Sequence, residues 1–120
     1  MCKWKFNYDE LSSILTNAAN GKYSEVFYID GRRCDTMLNF YKEFAREIRF
    51  PDYFGWNADA YIECMVDTDS YEPPVLCIIN HVNSILASDE KKQKFIFSVL
   101  DGVAKCSEDN CNTIDIIGII

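Results

Sequence analysis

The strongest constraint on this chain is an alternation: short β-branched and aromatic runs separated by longer segments of helical periodicity. The run from Glu25 to Ile29 ends at the turn-forming pair Asp30 and Gly31, so it reads as a buried strand. Pro73 and Pro74 lead into a second strand from Val75 to Ile79, which Asn80 and His81 close. A third is expected over Thr113 to Ile117, behind a polar loop from Ser107 to Asn112. Between the first two, Met37, Phe40, Tyr41, Phe44, Ala45 and Ile48 keep the i, i+3, i+4, i+7 spacing of one helix face, capped by Asp35 or Thr36. Asn83 to Ala87 suggests a helical turn. A longer helix should then begin behind a Ser88 cap and turn Phe95, Ile96, Val99, Leu100 and Val103 inward. Strands separated by helices favour parallel pairing. The expected fold class is α/β, a three-stranded parallel sheet packed with helices.

Upstream, Leu11, Ile14, Leu15, Ala18 and Ala19 follow Asp9 as a short helical stripe that Asn20 and Gly21 end. A chain of 120 residues forms one domain with a core of its own. Its net charge of -7, with 19 acids against 12 bases, argues against direct binding of nucleic acid through phosphates, which needs clustered cations. A basic protein partner fits better. The six cysteines contain no CxxC pair, and His81 is the only histidine, so neither a zinc site nor another metal site is expected. Cys106 and Cys111 are the closest pair in sequence. No apolar run near Met1 resembles a signal peptide and none approaches a membrane span, so the expected location is the cytoplasm, with no membrane partner.

The segment from Phe50 to Asp67, FPDYFGWNADAYIECMVD, carries the functional signal. Pro51 disfavours helical geometry at Phe50 and should end the preceding helix. Gly55 is expected to take a backbone conformation that a side chain would resist. Asn57 suits an N-cap, which puts Asp59 near the positive end of the next helix. At about 100° per residue, Asp59, Glu63 and Asp67 fall on one stripe, with Ala58, Tyr61 and Met65 opposite and Ile62 and Val66 at the border. Like charges at this spacing cost a helix roughly 0.2–0.5 kcal/mol per pair, so the stripe belongs in solvent or against a basic partner.

These residues also bear a resemblance. PDYFGWNADAYIEC resembles the signature of the barstar family, small intracellular inhibitors of secreted ribonucleases, at Pro51, Asp52, Tyr53, Phe54, Gly55, Asn57, Asp59, Ala60, Glu63 and Cys64. The likeness extends more weakly from Glu25 to the C-terminus, through IDGRRCDT and PVLCII. It implies a barstar-like domain over residues 25–120, an N-terminal extension with an extra helix over 1–24, and the same α/β arrangement. Glu63 replaces the aspartate common at the last acidic position, Trp56 stands at a variable one, and Ile62 stands where some members have an aromatic. A further acid on the last long helix is implied, with Asp101 the nearest candidate.

An enzyme needs a nucleophile and base, or a metal set, in one place. No GxSxG, P-loop or HExxH pattern occurs, so no catalytic residue and no cofactor is assigned. A metal-dependent enzyme using Asp59 and Glu63 is the less favoured alternative, because two carboxylates without a third ligand make a poor site. The expected function is an immunity protein that blocks the basic active-site cleft of a cognate toxin nuclease, a ribonuclease above all. Its binding residues would be Tyr53, Phe54, Gly55, Trp56, Asn57, Asp59, Ile62, Glu63, Val66, Asp67 and Asp101, with Phe54 the aromatic most expected to close the core. A barstar-like immunity protein against a different toxin and a regulatory protein-binding domain remain as alternatives.

Overall fold

The computed structural model describes residues 2–6, 8–51, 54–66, 72–109 and 114–120. In chain order these form β1 (Cys2–Phe6), α1 (Tyr8–Ala19), β2 (Glu25–Asp30), α2 (Met37–Ile48), α3 (Ala58–Val66), β3 (Val75–Asn80), α4 (Glu90–Asp109) and β4 (Ile114–Ile119). Short 3-10 turns, Gly31–Arg33 and Val82–Ser84, follow β2 and β3.

The expected parallel strands are β2, β3 and β4, neighbours in that order. The sheet carries one strand more. β1 pairs in parallel with the far side of β4, Cys2 opposite Ile116 and Lys3 opposite Ile117, to give the order β1-β4-β3-β2. The sequence CKWKF has too short and mixed a pattern to announce a strand, and its pairing partner lies at the other end of the chain. Only the long-range contact makes it one.

Period-two alternation divides the sheet residues between two cores. Phe27, Ile29, Val75, Cys77, Ile79, Ile114 and Ile116 face the larger one, built with Phe40, Phe44 and Ile48 of α2, Tyr61 and Met65 of α3, and Ile96, Leu100 and Val103 of α4. Leu76, Ile78, Ile117 and Ile119 face the smaller, which Leu11 of α1 and Tyr23 complete, with Ile14 and Ala18 packed against it. The N-terminal helix therefore packs on the sheet's second face. There the buried carboxylate of Asp115 accepts the Tyr23 hydroxyl at 2.5 Å.

Local signals mostly place the helices where the physics predicts. Thr36 caps α2, its hydroxyl accepting the Asn39 amide at 3.1 Å. The cap of α4 is Asp89 rather than Ser88: its carboxylate accepts the Lys92 amide at 3.1 Å and its carbonyl the Gln93 amide at 2.9 Å. Phe95, expected inside, is 47% exposed. It lies about 100° around the helix from Ile96, off the stripe that Ile96, Val99, Leu100 and Val103 bury. Among the described residues no helix is long and apolar enough to cross a membrane.

Candidate functional site

The surface around α3 is set by how α2 ends. Arg49 turns left-handed, with φ 63°, and the amides of Arg49 and Phe50 both return to the Ala45 carbonyl. Its guanidinium then bonds Glu25 Oε1 at 3.1 Å, while Glu25 Oε2 accepts the Glu72 amide at 3.1 Å. One carboxylate at the start of β2 thus clasps the end of α2 to the segment leading into β3.

From Phe50 the chain builds a ladder of rings. Phe54 is 5% exposed, its amide bonded to the Pro51 carbonyl at 3.0 Å and its ring 5.0 Å from Phe50 and 5.9 Å from Tyr41. Tyr61, fully buried, meets Phe44 edge-on at 5.2 Å and Phe40 at 5.3 Å. Trp56 lies outermost, 47% exposed, with its ring 5.0 Å from that of Phe54. Contacts of this geometry contribute about 0.5–1.5 kcal/mol each beyond area burial. Phe54 supports the surface from behind, and Trp56 is the ring that solvent meets.

The backbone strain expected at Gly55 sits one residue later. Trp56 is the left-handed residue, at φ 53°. Gly55 is small for a different reason: a Cβ there would come within 3.2 Å of the Asn57 amide nitrogen, which donates to the Gly55 carbonyl at 3.1 Å. The other end of the Asn57 side chain caps α3, its oxygen accepting the Ala60 amide at 2.9 Å, and its carbonyl accepts the Tyr61 amide at 2.9 Å. Asn57 therefore locks the loop to the helix from both sides.

On α3 the two faces separate as the helical period requires. Tyr61, Cys64 and Met65 are buried; Asp59 and Glu63 are exposed; Ala58, Ile62 and Val66 are half-buried, Ala58 and Ile62 against the main core. Asp101 is exposed on α4, the helix that α3 contacts. Gly55, Trp56, Asn57, Asp59 and Glu63 thus form one exposed stretch, and Phe54 backs it. Tyr53 and Asp67 lie outside the described residues, as does Cys111, the expected neighbour of Cys106. Cys34 and Cys77 are buried free thiols. Burial, with Glu43, Asp30 and Asp35 nearby, pushes the Cys34 thiol up to about 12, and burial alone does the same to Cys77. Neither is a nucleophile at neutral pH. Among the described residues no group of three or more His, Cys, Asp or Glu is placed to hold a metal ion.

Together these features define a parallel α/β domain that presents an acidic helix beside an aromatic loop. Residues 24–116 match the family model described as Barstar (barnase inhibitor), and the chain belongs to the barstar family. The match begins just before β2 and runs into β4, so it takes in α2, the aromatic loop and α3. The chain matches no curated protein.

Proposed function

We propose that this protein is a cytoplasmic immunity protein that binds a cognate toxin nuclease, a ribonuclease, and occludes its active site. The observation that carries the reading is the exposure of Asp59 and Glu63 on a helix whose other face is anchored in the core, within a chain of the barstar family. A ribonuclease cleft is positive because it receives phosphates. A rigid acidic helix can occupy it in place of the RNA backbone, its carboxylates pairing with arginine, lysine or histidine. Trp56, already ordered against Phe54, supplies apolar area that excludes water around those pairs. Tyr53, Asn57, Ile62, Val66, Asp67 and Asp101 complete the proposed contact set. The protein acts by binding and needs no cofactor.

The net charge of -7 supports a fast encounter with a basic partner. Barnase and barstar are themselves the model case of such steering, so that argument is theirs, transferred to this chain. The decisive experiment isolates the basic protein that this chain captures from its native cell and assays its ribonuclease activity with and without the chain. Stoichiometric suppression is expected. A captured partner with no nuclease activity overturns the ribonuclease assignment, and an association rate indifferent to ionic strength overturns the steering.

A further inference from the structure

The carboxyl ends of β2 and β3 hold a chemistry that the acidic helix does not use. Gly31 lets the two strand ends close on each other: a Cβ there would fall 2.2 Å from the His81 carbonyl oxygen and 2.8 Å from that of Asn80. Beside this junction lie two cavities, of about 320 and 370 Å³. Both are at the lower end of the roughly 300–1,000 Å³ usual for small-ligand sites. Arg33, Glu43 and Arg46 line both, Lys42 and Asn39 only the second.

The charges here are sorted into committed and uncommitted groups. Asp30 holds Arg32 in a two-pronged pair, Nε to Oδ1 and Nη2 to Oδ2, each 3.1 Å. That bond keeps the Asp30 carboxyl below its ordinary range. Glu43 is 4% exposed; its Oε2 accepts the Asp30 amide at 3.2 Å, and its Oε1 accepts from Arg46 Nη2. Glu47 takes a second bond from the same Nη2 at 3.3 Å. Nε and Nη1 of Arg46 remain uncommitted among the described residues, and the guanidinium is held by a carboxylate that is itself fixed. Arg33 and Lys42, both exposed, have no acidic partner among the described residues. Around the second cavity stand three cations, Arg33, Lys42 and Arg46; Glu43 and Glu47 both take Arg46, and Asp35 holds Asn39 at 2.6 Å, so Arg33 and Lys42 are the two cations there that no carboxylate binds among the described residues.

We propose that the second cavity binds the doubly charged phosphate group of a small phosphate monoester through Arg33, Lys42 and Arg46. A monoester carries about -1.5 to -2 charge at pH 7, for which Arg33 and Lys42 offer two cations without a carboxylate partner, and guanidinium forks fit its oxygens. Buried Glu43 holds Arg46 in place before the ligand arrives, which lowers the ordering cost of binding. The site is independent of the inhibitor reading. The aromatic loop starts from Arg49, clasped to Glu25 at the beginning of β2, whereas the second cavity lies between Arg33 of the 3-10 turn after β2 and Asn39, Lys42, Glu43 and Arg46 of α2.

The test is amide NMR of the full chain titrated with ribose 5-phosphate, inorganic phosphate and ribose. Saturable shifts confined to residues 31–47 are expected for the two phosphates and none for ribose; the relative affinities then tell a monoester site from a free-phosphate site. Joint Arg33→Ala and Lys42→Ala substitution should weaken binding at least tenfold, with Arg33→Lys recovering part of it. Both side chains are exposed and unpartnered, so the fold stays intact, as the unchanged remainder of the spectrum checks. Shifts that fail to saturate, that persist in the double variant, or that a short single-stranded RNA produces where ribose 5-phosphate does not, overturn the proposal.

Discussion

The two faces of α3 differ in kind although they share one backbone. The inner face places Tyr61 among Phe40, Phe44 and Phe50, with Met65 beside it, where every side chain is held by its neighbours. The outer face places Asp59 and Glu63 one turn apart in solvent, where like charge gives the helix nothing. The inner face accounts for stability. The outer face is costly in isolation, and its placement makes sense if another molecule supplies the opposite charge. A rigid helix can carry such a surface because its other side is anchored.

If that division is right, substitutions on the two faces should fail in different assays. The largest effect expected is from Asp59→Lys with Glu63→Lys. Losing a desolvated charge pair costs about 2–5 kcal/mol, so reversing both should weaken the proposed nuclease complex by about 5 kcal/mol, several thousandfold, while the free protein loses only the roughly 0.3–1 kcal/mol that Asp59 contributes at the positive end of α3. Calorimetric affinity alongside denaturant unfolding reads both. Retained affinity would dissolve the distinction. Tyr61→Ala is the converse: removal of a fully buried ring should cost about 4 kcal/mol of stability, visible as an early unfolding midpoint.

Asn57 joins the faces, so its loss should register in both assays. Asn57→Ala removes the cap and the bond to Gly55, costing about 1 kcal/mol of stability and loosening Trp56 and Asp59 toward the partner. A change in only one assay would mean that loop and helix are uncoupled. The weakest handle near neutral pH is the titration of the inner core. Cys34 and Cys77, raised by burial from an ordinary 9.0 to about 12, stay protonated in the fold while the unfolded chain ionises. Their contribution is whole below pH 9 and is lost as pH rises toward 12, so the urea midpoint should hold from pH 7 to 8.5 and fall beyond it. Burial raises the Tyr41 hydroxyl as well, which adds in the same direction.

Much of this was legible in one dimension because its causes are local. A helix face repeats within a few residues, so the stripe of α2, the acids of α3 and the Asn57 cap could be read directly, and turn residues marked the ends of β2 and β3. The resemblance carried by PDYFGWNADAYIEC pointed to the family that the match over residues 24–116 shows. Where a residue's state depends on something distant, the pattern failed. Trp56 rather than Gly55 turns left-handed, with its ring against Phe54, which itself packs on Tyr41 of α2. Phe95 stays outside because α4 has only one side against the core.

The sequence alone therefore determined the alternation of α2, α3 and α4 with β2, β3 and β4, the Asn57 cap and the sidedness of α2 and α3, since hydrogen bonds and side-chain contacts over three or four residues decide these. The tertiary structure decided the rest. It drew CKWKF onto β4 as a fourth strand, laid α1 on the second face of the sheet, and brought Glu43 to the amide of Asp30 so that Arg33, Lys42 and Arg46 surround one cavity. Those outcomes depend on which distant segments meet, and parallel pairing joins residues that no local period connects.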